Sequence, residues 1–228
     1  AGGASPALAV VYRSEDSGET WQGPSFVTSS LTGWNHTTCS PCEIGNRIIL
    51  AIYGIKPGGT INRTTVSIVE SSDDGRTWPK ERILHDGAPF GFWLNECVIQ
   101  SLSSGLLFAL MRSEQERDIY SLFSTDSGRR WSIAKNAFPG SGKPHFIELP
   151  NGTIRSFFRA PAPSQQAYYR ESYDSGATWS NGHLLQGFEN EVYADSVILE
   201  DGRQLVILGN EDPTHTAASI HSFELDIP

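Results

Sequence analysis

Helical periodicity is scarce in this sequence of 228 residues. Few stretches repeat apolar residues at helical spacing, and no apolar run approaches the roughly 18 residues that a helix needs to cross a bilayer. No membrane partner is expected. Cysteine is scarce as well. Three cannot all pair within one chain, so no disulfide framework is implied. Cys39 and Cys42 form a C-x-x-C, but no second pair accompanies it and no βαβ pattern surrounds it, so it reads as a strand entry rather than a redox or zinc motif. Positive charge is in deficit, with 17 Lys and Arg against 26 Asp and Glu, a net charge of −9 and a pI near 5.1. A nucleic-acid backbone is excluded as a partner, because such binders need a basic stripe to displace counterions. Any anionic ligand must be held by a few local cations. The Ala-rich start lacks a charged segment followed by an apolar one, so no signal peptide is read there. Nothing resembles a linker between folding units, and residues 1–228 are expected to form one domain. No cofactor motif and no metal-ligand set is present.

What the sequence does have is 22 Gly, 13 Pro and 11% aromatic residues among short apolar runs, an all-β composition. One pattern, Ser-x-Asp-x-Gly-x-x-Trp, occurs four times: at Ser14, Asp16, Gly18, Trp21; at Ser71, Asp73, Gly75, Trp78; at Ser124, Asp126, Gly128, Trp131; and at Ser172, Asp174, Gly176, Trp179. The tryptophans stand 57, 53 and 48 residues apart, periods that suit a four-stranded propeller blade. Ser and Asp side chains bond nearby backbone N–H groups, Gly supplies positive φ, and the indole fills space between strands. These aspartates are therefore turn formers, not acids.

Between the boxes lie pairs of apolar runs joined by turns at Gly45-Asn46, Ser104-Gly105, Asn151-Gly152 and Asp201-Gly202, all hairpin signals. Second strands are predicted at 48–53, 106–111, 153–158 and 204–208, and third strands at 66–70, 119–123, 167–171 and 218–223. Residues 10–12 read as a third strand leading into the first box with no pair before it, and the last blade offers three strands and no box. Three full blades, from about residue 30 to 186, thus stand between partial ones. Two architectures fit: a closed ring of five blades, or a six-bladed ring without its first blade. An incomplete ring would leave room for an oligomer. The sequons at Asn35, Asn62 and Asn151 leave glycosylation open.

Antiparallel geometry places the start of each first strand and the end of each second strand at one mouth, opposite the boxes. Nine residues before each hairpin Gly stand Glu96, Lys143 and Tyr193; seven after stand Arg112, Arg159 and Gly209, with Asn210 and Glu211 beyond. The blade before these offers His36 at its entry and Tyr53 at its exit. Two arginines in one register, each following an apolar run, point to an anion site. Glu96, Arg112, Arg159 and Tyr193 are its main candidates, with Lys143, His36 and Glu211 as further ligand contacts.

The repeat resembles the Asp-box, or bacterial neuraminidase repeat, of the sialidase superfamily, where it is scaffold remote from catalysis. Asn95-Glu96-Cys97 and Met111-Arg112-Ser113 are similar to the segment carrying that family's active-site Glu and the second arginine of its carboxylate-binding triad. Phe157-Phe158-Arg159-Ala160 stands where the third arginine would, and Val192-Tyr193-Ala194-Asp195-Ser196 is similar to the segment bearing the tyrosine nucleophile. The resemblance implies a retaining exo-sialidase: Tyr193 attacks, Glu96 is its base, and Arg112 and Arg159 grip the carboxylate of a sialic-acid-like or other acidic sugar. It also implies a secreted or periplasmic setting. The family's first arginine and its aspartic general acid belong to a first blade that these residues do not include; Arg13 precedes a box and does not take the role. His36, Lys143 and Glu211 are the groups available as substitutes. Two rival readings remain, a carbohydrate-binding propeller without turnover and an Asp-box polysaccharide lyase in which Tyr193 with His36 or His145 acts on a uronate.

Overall fold

A computed structural model describes residues 9–60, 63–113, 115–189, 191–211 and 218–227, apart from the side chains of 33, 34, 189, 191, 192, 210, 211 and 218. The sequon at Asn62 lies outside the described residues. Every regular element described is a β-strand, and the sheets are antiparallel and built by chain neighbours, so the chain is all-β with the sheet order of propeller blades. Contacts divide it into two compact units, residues 1–101 and 102–228.

In the first unit, β1 (Val10–Arg13) pairs with β2 (Gln22–Phe26) in a two-stranded ribbon. A full blade follows. β3 (Thr32–His36) and β4 (Cys42–Ile44) both lie along β5 (Arg47–Ile55), which pairs with β6 (Thr64–Ser71), and β6 with β7 (Lys80–Asp86). Its first strand is thus broken in two, with the Cys39 end of the C-x-x-C in the break and none of the three cysteines in a disulfide. β8 (Leu94–Ser101) packs on β4, β5 and β6. Leu50, Ile52 and Val69 alternate into a core that also takes Val27 and the box indole of Trp78, the period-2 pattern of a sheet buried on one face.

The second unit holds β9 (Leu107–Ser113), β10 (Asp118–Ser124) and β11 (Lys135–Pro139) in order. Next come a complete blade, β12 (Ser141–Glu148), β13 (Ile154–Arg159), β14 (Gln166–Ser172) and β15 (His183–Glu189), and a three-stranded sheet, β16 (Glu191–Ile198), β17 (Gln204–Glu211) and β18 (Ala218–Leu225). β12 packs against both β9 and β16, so successive sheets are neighbours in this unit. The predicted second and third strands all fall on observed ones, with ends displaced by at most three residues.

Each box is the same hydrogen-bonded turn. The serine hydroxyl accepts the glycine N–H and donates to the aspartate, at 2.7 Å each for Ser14 and at 2.8 Å each for Ser71 and Ser172. The same aspartate accepts the N–H four residues on, as Asp73 does from Thr77 at 2.9 Å. Hydrogen bonds from the following Thr hold Asp16 and Asp73 down to a pKa of about 2, and those from Arg130 do so for Asp126. Carboxylates so saturated are scaffold. One expectation needs correction: the box indole does not always plug a gap. Trp78 is buried, but Trp21 is 63% exposed: among the described residues β1 and β2 pair with each other alone, and no described sheet covers that ring.

Candidate functional site

Three hairpins in the second unit explain why counting from glycine works. In each, the glycine N–H donates to the carbonyl three residues back, Gly105 to Leu102, Gly152 to Leu149 and Gly202 to Leu199, at 2.8, 2.8 and 2.9 Å. The N–H of each of those leucines in turn donates to the carbonyl of the residue just after the glycine, Leu102 to Leu106, Leu149 to Thr153 and Leu199 to Arg203, all at 2.8 Å. Identical turns give identical registers. Glu96, Lys143 and Tyr193 are each the third residue of their strands, β8, β12 and β16. Arg112 and Arg159 stand at the far ends of β9 and β13. Arg112 is opposite Ile119 and Arg159 opposite Ala167, whereas the box serines Ser124 and Ser172 are opposite Leu107 and Ile154 at the other ends of the same strand pairs. Boxes and arginines therefore occupy opposite ends of these sheets.

Arg112 and Arg159 line one cavity of about 240 Å³, with Ser113, Arg117, Ser141, Ala162 and Gln165. Arg159 is aimed by Ser141: its Nε donates to the Ser141 hydroxyl at 3.3 Å, and that hydroxyl donates to the Ala160 carbonyl at 3.0 Å. The Nε bond to Ser141 fixes the plane of the Arg159 guanidinium, a planar fork of the kind that meets a carboxylate. Arg159 also lines a second, water-sized crevice, in which Lys143 and Tyr193 meet it over Phe157, Phe158 and Leu185. Three of the candidates thus converge on Arg159 within the second unit. Tyr193 is 43% exposed, and the residue opposite it on β17 is Gly209, which has no side chain to cover the ring.

The other two described candidates belong to the first unit. Glu96 is buried, and its backbone is left-handed, φ +41°. His36 is exposed at the end of β3, stacked on Tyr53 with ring centres 5.5 Å apart, the entry and exit of one blade meeting as the register predicts. Glu211 closes β17; its side chain lies outside the described residues. Asn35, the first sequon, is 6% exposed, whereas Asn151 is exposed in a hairpin turn.

The glycine count missed Arg117, Ser141 and Gln165, and for a physical reason: it reaches strands, whereas Arg117 and Gln165 sit in the β9–β10 and β13–β14 turns, whose lengths vary. It also missed His145, whose Nε2 meets the Ser196 hydroxyl at 2.9 Å and whose Nδ1 lies 3.6 Å from an Asp195 oxygen. Burial pushes the imidazole down to a pKa of about 4, outweighing the upward pull of Asp195. It is a neutral strut between β12 and β16.

Blades of antiparallel strands, boxes at one end and paired arginines at the other, define an Asp-box propeller. Residues 4–219 match the model of the BNR repeat-like domain family, and the chain belongs to that family. A curated relative, the anhydrosialidase of Macrobdella decora, is 23% identical over 161 residues, 64% of this chain; the chain spans about one fifth of that protein's length (21%). Among solved structures, a Hadza microbial sialidase superposes with a TM-score of 0.61 at 16% identity, over 80% of this chain and 43% of that one. An exo-β-1,3-galactanase from Clostridium thermocellum superposes with a TM-score of 0.65 at 12% identity, over 96% of this chain and 53% of that one. Structural likeness at these identities speaks for the fold, and the site must speak for the chemistry.

Proposed function

We propose that the chain is a carbohydrate-active propeller that binds an acidic sugar by its carboxylate and cleaves it by the retaining route of a tyrosine nucleophile. The observation that carries this reading is the shared cavity of Arg112 and Arg159, with Arg159 reaching a second crevice beside Tyr193. Paired guanidinium groups match the two oxygens of a carboxylate, and a sugar so held brings its neighbouring anomeric carbon toward the phenol. In the proposed step the Tyr193 oxygen forms a bond to that carbon as the bond to the aglycone oxygen breaks, and the phenolic proton passes to Glu96. A neutral phenol suits this centre, because an anionic nucleophile would be repelled by the adjacent carboxylate. Water then attacks the anomeric carbon as its bond to the Tyr193 oxygen breaks, Glu96 returns the proton to that oxygen, and the proton lost by the water balances the aglycone anion released in the first step. Lys143, His36 and Glu211 are assigned as sugar contacts. Of the two histidines that a proton-abstracting lyase could use, His36 and His145, the second is held by Ser196 and Asp195, which weighs against it as the base.

Aryl and alkyl sialosides test the proposal together. A phenolate leaves without being protonated, whereas an alkoxide needs a general acid worth about 10²–10⁴-fold. The expected result is turnover of a methylumbelliferyl sialoside, slower turnover of sialyllactose, and loss of both in Tyr193→Phe with binding of free sialic acid retained. A fully active Tyr193→Phe would overturn the mechanism; binding of sialic acid without turnover of either substrate would leave a lectin-like propeller.

A further inference from the structure

Seven non-glycine residues have left-handed backbone among those described: Ser17, Asp74, Ser127, Ser175, Glu96, Arg117 and Gln165. The first four occupy the same box position, one residue before the glycine, where the turn requires it. The other three have no such excuse. Left-handed backbone in a residue with a Cβ is strained and persists where the surroundings impose it, often at ligand sites. Glu96 was already a candidate from its register. Arg117 (φ +57°) and Gln165 (φ +49°) lie in two different turns and line the cavity of Arg112 and Arg159.

From this geometry we infer that Arg117 is a third carboxylate-binding residue of that cavity, supplied by the β9–β10 turn rather than by a strand end. The inference rests on the acidic-sugar reading of the site. The turn is fixed from both sides: the Arg117 N–H donates to the Ser113 carbonyl at 3.1 Å, and its own carbonyl accepts the Gly140 N–H at 3.0 Å. Gly140 can approach so closely because it has no Cβ, which would stand 2.8 Å from Ile119 and 3.1 Å from Phe158. Both acids that flank Arg117 in sequence are engaged elsewhere. Glu116 accepts a hydrogen bond from the Tyr120 hydroxyl, and Asp118 accepts one from the Asn136 amide at 2.7 Å. The exposed Arg117 guanidinium forms no hydrogen bond or ion pair with a described residue, and the described lining of the cavity holds three arginines and no carboxylate. A ligand carboxylate in this cavity takes a charge-assisted bond from the Arg117 guanidinium beside those from Arg112 and Arg159.

Titration calorimetry with N-acetylneuraminic acid and with its methyl ester tests this. The ester keeps every group except the negative charge. Wild type is expected to favour the acid, Arg117→Ala to lose about tenfold or more in affinity for the acid with little change for the ester, and Arg117→Lys to recover part of the loss. Two results overturn the inference in distinguishable ways. Arg117→Ala that binds the acid like wild type while Arg112→Ala does not removes Arg117 and leaves the site. A wild type that binds neither compound, or does not separate acid from ester, removes the acidic-sugar reading and the inference with it. Equal losses for acid and ester in Arg117→Ala would show a merely structural turn, and also overturn it.

Discussion

Replacing Arg155 by Met should be among the costliest single changes in the second unit. Arg155 is 3% exposed on β13. Its Nε and Nη2 donate to one oxygen of Glu171 at 2.9 and 2.7 Å, Nη1 donates to the Gln204 side-chain oxygen at 2.8 Å, and Nη1 and Nη2 reach the Asp226 carbonyl at 3.2 and 3.3 Å. One guanidinium thus ties β13 and β14 to the start of β17 and the end of β18. Burial alone would raise the pKa of Glu171, yet the bonds from Tyr173 and Arg155 bring it below its ordinary value, so the carboxylate is charged at neutral pH. Met fills similar volume but leaves that charge with Tyr173 as its remaining donor. Removing one partner of a buried pair costs about 3–5 kcal/mol, which for a chain of this size is a fall of about 6–20 °C in Tm. Urea unfolding followed by tryptophan fluorescence measures the loss. The double variant Arg155→Met, Glu171→Met removes the stranded charge and is expected to recover at least half of it. A single variant within about 1 kcal/mol of wild type, or a double variant no better than the sum of the two singles, would refute this account.

Two further outcomes follow from other contacts. Gly152 and Gly176 both have left-handed backbone, φ +84° and +88°, but a Cβ on Gly152 meets open space while one on Gly176 would stand 2.4 Å from the Phe108 ring. Gly152→Ala should cost only the left-handed strain of about 1–2 kcal/mol, and Gly176→Ala clearly more by urea midpoint; equal losses would contradict the close approach. His145 sets a pH window. Its imidazole titrates near 4 in the folded protein against an ordinary 6.5, so the unfolded chain binds the proton first as pH falls. Its contribution is full above pH 6.5 and is lost on the way down to about pH 4, by up to about 3 kcal/mol. Urea midpoints across that range should fall more steeply for wild type than for His145→Gln, and parallel curves would count against a neutral buried histidine.

The sequence by itself determined the blades. Box and hairpin are local: each closes its hydrogen bonds within about eight residues, so Ser, Asp and Gly at fixed spacing fix the turn whatever surrounds it, and the alternating runs between them can only be strands. Because the hairpins are identical, distance from a glycine also fixed which residues end which strands, and so put Arg112 and Arg159 in one register before any coordinates. What stayed illegible depends on neighbours that the chain reaches over longer distances. The exposure of Trp21, despite the same box that buries Trp78, depends on whether another sheet lies alongside. The tie from Arg155 to Gln204 spans 49 residues, and that from His145 to Ser196 spans 51. Arg117 enters the cavity where Gly140 lets its turn close on the next sheet, and both Arg117 and Gln165 stand there in a backbone conformation that their own side chains disfavour.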